Sequence, residues 1–291
     1  MIIINYLQAN TVLFLTLVGL LSLAIGSFLN VIIYRLPIML KRQWQQECAE
    51  LLKRPLSSKK IIFNLAVPRS HCPHCKKTIS GRYNIPLISF ILLKGKCPYC
   101  DNKIPFRYPI VELICCVLSI FIAFKFGVSA KTVALLPFTW ALIVLVFIDF
   151  EHLLLPDIIT LPFLWLGLLL SLFGLFCSSF EAIVGATSGY LILWSSAQIF
   201  RLIRGKEGIG QGDFKLLAMF GAWLGWQVLP FIILCASLLG AIIGITLIFL
   251  KKHSLQKPIP FGPYIAIAGY IAIIWGQDIF NWYLQHIIGR Y

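Results

Sequence analysis

The sequence predicts an all-α polytopic membrane protein with one large polar loop. Three observations predict it. Hydrophobic residues make up 59 % of the 291-residue chain, and its mean hydropathy is +0.88, far above a soluble domain. Uncharged or nearly uncharged runs recur at 7–34, 109–124, 132–148, 158–180, 182–200, 214–229, 229–250 and 261–285. Most approach the roughly 20 residues that cross a hydrocarbon core of about 30 Å. The count is about eight transmembrane helices, or seven if the short run 214–229 does not cross. The first run is too long for a removable signal, and it has no basic start or small-residue cleavage site, so it reads as a helix that stays. No internal repeat or low-complexity tract appears.

The net charge of +14 is concentrated. Residues 35–107 hold 15 of the 25 Lys and Arg residues against three acids, Glu47, Glu50 and Asp101. The positive-inside rule puts this segment in the cytoplasm. With eight spans and the N-terminus outside, Arg201, Arg204, Lys206, Lys215, Lys251, Lys252 and Lys257 also fall inside, and only Lys125, Lys131 and Arg290 fall outside, a balance of 22 to 3. Basic residues beside membrane helices set topology and touch anionic lipid. That accounts for the charge without nucleic acid as a partner. The chain divides into a first transmembrane helix (1–34), a cytoplasmic loop domain (35–108) and a transmembrane domain (109–291).

Four of the nine cysteines form two matched pairs, Cys72-Pro-His-Cys75 and Cys97-Pro-Tyr-Cys100, with 21 residues between them. This is close to a four-cysteine zinc-ribbon spacing. Two knuckles supply four thiolates, which suits tetrahedral Zn2+ in a closed, structural site. A reducing cytoplasm disfavours disulfides in that loop. His71 and His74 flank the first knuckle and are alternative ligands. Cys48, Cys115, Cys116, Cys177 and Cys235 are scattered and read as small apolar residues.

Two aspartates stand where a membrane protein does not place charge casually. Asp149 closes the run 132–148, and Asp213 ends Gly208-Ile209-Gly210-Gln211-Gly212-Asp213 before another apolar run. An ionisable group near the bilayer is a functional-site candidate. The topology puts Asp149, Asp157 and Asp213 on the cytoplasmic side at one depth, a coincidence the charge count does not use. Two carboxylates that meet can share a proton and split water, as aspartic peptidases do. Asp157, just after Pro156, reads equally as a helix-dipole contact or a site residue. Glu151 and His152 read as loop residues. The glycines before Asp213 allow tight backbone paths and close approach; without a preceding strand or a Gly-Lys-Ser/Thr they do not form a phosphate loop. Two other readings are weaker. A transporter using carboxylate relays would carry them nearer the midplane and show repeats. A zinc-bearing scaffold would leave the aspartates unexplained.

With those residues in view, the chain resembles the type IV prepilin peptidase family, bifunctional leader peptidases and N-methyltransferases. The resemblance runs through Gly26-Ser27-Phe28-Leu29-Asn30-Val31, Arg35-Leu36-Pro37, Pro68-Arg69-Ser70 with the first cysteine pair, Tyr83-Asn84-Ile85-Pro86, Gly95-Lys96-Cys97, Arg107 to Glu112, Asp149 to Asp157, and Gly208 to Leu216. Gln211 stands where Tyr or Phe is frequent, and His74 falls between the first two cysteines. The resemblance implies Asp149 and Asp213 as the catalytic pair and Cys72, Cys75, Cys97 and Cys100 as zinc ligands. It implies prepilin and pseudopilin substrates with a short basic leader ending in glycine, followed by Phe or Met and an apolar helix. Cleavage follows that glycine at the cytoplasmic face of the bacterial inner membrane. S-adenosylmethionine then donates a methyl group to the new N-terminus. No dinucleotide-type glycine motif marks the cofactor site. Asn30, Arg35, Glu112 and Gly95 are its candidates; Arg35 with Glu112 reads alternatively as a helix-border ion pair, and Gly95 as a turn glycine.

Overall fold

The computed structural model describes residues 2–53, 63–72, 74–206, 208–250, 259–283 and 285–286. Arg54, Lys59, Lys60, Lys251, Lys252, Lys257 and Arg290 of the charge count, and Pro73 of the first knuckle, lie outside the described residues. Ten α-helices are described: α1 (Ile2–Ala9), α2 (Thr11–Leu51), α3 (Ile88–Leu92), α4 (Arg107–Phe126), α5 (Ala130–His152), α6 (Asp157–Ser171), α7 (Ser179–Arg204), α8 (Gln211–Leu224), α9 (Leu229–Phe249) and α10 (Gly262–Tyr283). Among the described residues β structure is limited to two isolated bridges, His71 with Thr78 and Lys96 with Lys103.

Each of the eight apolar runs is helical over most of its length, with breaks at Asn10 in the first and after Ser171 and Leu224 in the fourth and sixth. Helices α2, α4, α5, α7 and α9 are long and apolar enough to cross a membrane. Helix α6 and the apolar part of α10, Gly262–Gly276, are shorter. Helix α8 has 14 residues, roughly 21 Å at the α-helical rise. Apolar side chains such as Ile183, Leu191, Leu234, Leu238 and Ile245 look outward. Such a surface belongs in hydrocarbon.

The chain forms two compact units, Met1–Val144 and Leu145–Tyr291, and the division falls inside α5. In the first unit, α2 does not end at the sequence boundary of 34. It continues to Leu51 with Pro37 inside, because residues 38–51 are rich in good helix formers and hold no glycine or proline. Helix α4 lies antiparallel along α2. Gly19 of α2 faces Cys116 and Ile120, and a Cβ on Gly26 would stand 2.9 Å from Glu112 Cα. Small residues at such positions let membrane helices approach closely. Val18, Ala123 and Leu136 join α2, α4 and the start of α5 in one core cluster, and Trp140 donates to Ser119 Oγ at 3.0 Å.

In the second unit, α8 is the central helix. It is buried nearly all round, from Asp213 through Trp223, as expected of a helix apolar on every face. Helix α7 meets it backbone to backbone, since a Cβ on Gly221 would stand 2.1 Å from Gly185 O. On its other side the Trp223 indole covers Gly167 of α6 and donates to Phe163 O at 2.7 Å. Helix α10 crosses at Gly269, where a Cβ would meet the Phe220 ring at 2.2 Å. Asp213 therefore sits in the first turn of the most enclosed helix of this unit.

Candidate functional sites

Helix α5 runs one turn past Asp149, so Glu151 and His152 are helical and not loop residues. The helix stops at Leu153, whose φ of 52° is left-handed, with its N–H donating to Asp149 O at 2.9 Å. This is a left-handed C-cap. It occurs without glycine because Pro156 follows and bars further helix. The turn brings Leu155 inward, where it is buried.

Helix α8 begins after Gly210, its N-cap, which places Asp213 at the third helical position. The Gly210 N–H donates to the Asp213 carboxylate, the acid half of a capping box. The glycine-rich stretch is thus an ordered helix start. A Cβ on Gly212 would stand 2.7 Å from Leu155 Cβ, so this glycine lets the α5–α6 turn close onto α8.

The third contributor was not singled out in the sequence. Gly262 opens α10, and its N–H donates to the Asp149 carboxylate. A Cβ there would lie 2.6 Å from Asp149 Oδ2 and 3.3 Å from Asp213 Oδ1. The two carboxylates therefore converge over the Cα of one glycine. Both aspartates are buried, at 5 % and 7 % exposure. Helix N-termini favour negative charge, and each carboxylate has one: α10 for Asp149 and α8 for Asp213. The legible signal was Pro260-Phe261-Gly262-Pro263 at the head of an apolar run, turn chemistry followed by a proline tolerated in a first helical turn.

Asp157 does not join the pair. It lies in the first turn of α6, is 54 % exposed, and takes Lys215 Nζ at 2.7 Å on both oxygens. Consecutive residues of α8 point three ways. Asp213 faces Gly262, Phe214 meets the Tyr190 ring edge-on at 5.8 Å, and Lys215 meets Asp157.

The four paired cysteines converge in the first unit. The Sγ atoms of Cys72, Cys75, Cys97 and Cys100 all lie within 4.8 Å of one another, and the group includes neither His71 nor His74. His71 Nδ1 instead faces Arg69 O at 3.0 Å. The two knuckles repeat one geometry. Cys72 N–H donates to Lys77 O, and Cys97 N–H to Asn102 O. The residues after the second cysteines, Lys76 and Asp101, have φ of 57° and 54°. Cys72 and Cys100 Sγ are 3.8 Å apart, matching the sulfur separation of about 3.8 Å that tetrahedral Zn–S bonds near 2.3 Å impose. The backbone N–H of Cys75, with that of His74 and the neighbouring thiols, pulls the Cys72 thiol down to about 6 against a smaller effect of burial. This favours the thiolate a metal requires. The donor set fits a metal ion.

The remaining candidates do not gather at one point. Arg35 donates to the carbonyls of Asn64, Leu65 and Pro68. Glu112 accepts the Leu87 N–H at 2.8 Å and a bond from Ser27. Their ion pair is therefore replaced by separate backbone anchors. Asn30 donates to Tyr108 O at 3.1 Å, and its Oδ1 is buried without a partner. Gly95 turns the second knuckle with φ of 69° and packs on Phe90.

Comparison with known proteins matches both the N-terminal and the C-terminal part of the chain. The profile described as the Bacterial Peptidase A24 N-terminal domain matches residues 20–126, and that of the Type IV leader peptidase family matches residues 136–245. The chain is 50 % identical to a protein of Stutzerimonas stutzeri named prepilin leader peptidase/N-methyltransferase, over 97 % of this chain and 98 % of the relative. It is 52 % identical to one of the same name from Aeromonas hydrophila, over 95 % and 96 %, and 48 % identical to one from Pseudomonas aeruginosa, over 97 % and 98 %. No solved structure matches the chain. On these matches, which run almost end to end, the chain belongs to the type IV leader peptidase family.

Proposed function

We propose that this protein cuts the leader from type IV prepilins and type II secretion pseudopilins after the leader glycine, and then methylates the new N-terminal residue, usually Phe. The observation that carries the first reaction is the convergence of Asp149 and Asp213 over Gly262. Like charges this close hold one carboxylate ionised and the other protonated at low cost. The ionised group takes a proton from water as the water attacks the scissile carbonyl carbon. The protonated group donates to the carbonyl oxygen, and the amine leaves with a proton returned from the pair. The balance of basic residues supports a cytoplasmic active face and a periplasmic N-terminus in the bacterial inner membrane.

The four-cysteine site holds Zn2+ and is structural, because its ligands are complete. It folds a polar segment that has little apolar content of its own. The second reaction is assigned to the region 35–108 with α4, and the peptidase to the C-terminal helices. For the cofactor, Asn30 and Glu112 remain candidates, each on its own: Asn30 offers a buried amide oxygen without a partner and Glu112 a buried carboxylate, groups whose chemistry suits a cation such as the sulfonium or the incoming amine. Arg35 and Gly95 frame the segments around them. S-adenosylmethionine supplies the methyl group.

The test uses purified enzyme, a prepilin and labelled S-adenosylmethionine. Asp149→Asn and Asp213→Asn each abolish cleavage and leave methylation of pre-cut substrate largely intact. Normal cleavage by either variant refutes the pair.

A further inference from the structure

A groove of about 180 Å³ opens between α7 and the 208–211 stretch that leads to Asp213. Tyr190, Trp194, Gln198 and Arg201 project into it from α7, spaced by four, four and three residues along one helical face. Phe214 closes it from α8. Gly210 is among its lining residues, and a Cβ there would stand 3.5 Å from Asp213 Oδ2 and meet nothing else within 4 Å. The packing of the fold leaves Gly210 room for a side chain, and that room adjoins the carboxylate.

The lining is aromatic and cationic. Tyr190 and Trp194 are 36 % and 41 % exposed, and the Tyr190 ring also meets Phe214 edge-on. Arg201 and Arg204 are exposed in the last turn of α7 and Lys206 lies just beyond it, and among the described residues the groove lining includes Arg201 and no Asp or Glu. The acids Glu151 and Asp157 stand at the α5–α6 turn. On α8, Phe214 meets Tyr190 of the groove while the next residue, Lys215, meets Asp157, so the two directions diverge around the helix.

We propose that this groove seats the mature side of the substrate, the apolar residues that follow the scissile bond, and turns the basic leader away. This rests on the prepilin reading above. Aromatic faces beside a cation take apolar or acidic side chains. A run of Lys or Arg there meets like charge and loses binding.

The experiment uses full-length enzyme in neutral detergent and in vesicles with and without anionic lipid. The substrates are prepilins with one early mature residue replaced by Glu or by Lys, and prepilins with one or three leader cations. The parent prefers the Glu substrate to the Lys substrate. Arg201→Glu reverses this preference by about ten-fold or more in kcat/KM, through KM, as expected for a close charge pair. Trp194→Ala raises KM for all of them several-fold. An unchanged Glu-to-Lys ratio overturns the proposal. So does an Arg201→Glu effect that follows the number of leader cations, which puts the leader in the groove. An effect confined to anionic vesicles makes it a lipid site and also overturns it. Failure of the parent to cut any prepilin overturns the substrate reading itself, a result distinct from all the others.

Discussion

A methyl group on Gly262 would stand 2.6 Å from Oδ2 of Asp149. The glycine also gives its N–H to that carboxylate, so it orients Asp149 and leaves the space in which Asp213 approaches. Gly262→Ala should therefore abolish cleavage by pushing the carboxylates apart. The thermal midpoint should fall little, because the close atoms are side-chain ends, Asp149 Oδ2 and Leu155 Cδ1, and no backbone. Cleavage assays with thermal unfolding check this; normal turnover by the variant removes Gly262 from the site.

The glycines before Asp213 separate into two roles. Gly212 admits Leu155 at van der Waals contact, and its Cβ would strike Leu155 Cβ at 2.7 Å. Gly212→Ala should destabilise the protein by about 1–3 kcal/mol, the usual cost of overpacking. Gly210 is an N-cap with open space beside it. Gly210→Ser should keep or raise stability, because serine is a preferred N-cap, while cleavage falls as the hydroxymethyl group enters the space next to Asp213. Equal thermal losses for the two variants would contradict this division.

The parts of the molecule legible from sequence were those with a local signature. The apolar runs are helical over most of their length, five of them in helices long enough to cross a membrane, because apolarity over that length leaves the backbone no other partner in lipid. The cysteine pairs converged because each knuckle is closed by its own hydrogen bonds. Gly262 was not legible in the same way. It is 113 residues from Asp149 in the chain, and its role depends on where α10 begins relative to α5 and α8. The Arg35–Glu112 pairing failed for a related reason. Opposite charge at similar depth suggests a pair, but backbone groups of the 64–68 and 87 segments engage each side chain instead.

Metal removal should act on the loop segment and spare the helices. Chelation, or Cys72→Ser, takes away one cross-link between segments 25 residues apart. Structural zinc supplies folding free energy directly. Limited proteolysis should then cut between residues 63 and 106, and metal analysis of the parent should return one zinc per chain. Protein that carries no zinc and resists protease equally with and without chelator would refute the structural site.

The Asp157–Lys215 pair joins α6 to α8, so its loss tests whether Asp157 takes part in chemistry. Both oxygens of Asp157 are engaged by Lys215 at 2.7 Å, and the acid is half exposed. Such a pair contributes about 0–1 kcal/mol, screened by salt. Asp157→Asn and Lys215→Ala should each cost no more than that, and the double variant no more than either single change. Cleavage should stay within a few-fold of the parent in all three, in contrast to Asp149→Asn. The measurement is kcat/KM with a prepilin at two salt concentrations. If Asp157→Asn loses turnover as completely as Asp149→Asn while Lys215→Ala does not, Asp157 belongs to the reacting groups and its ion pair is a resting position.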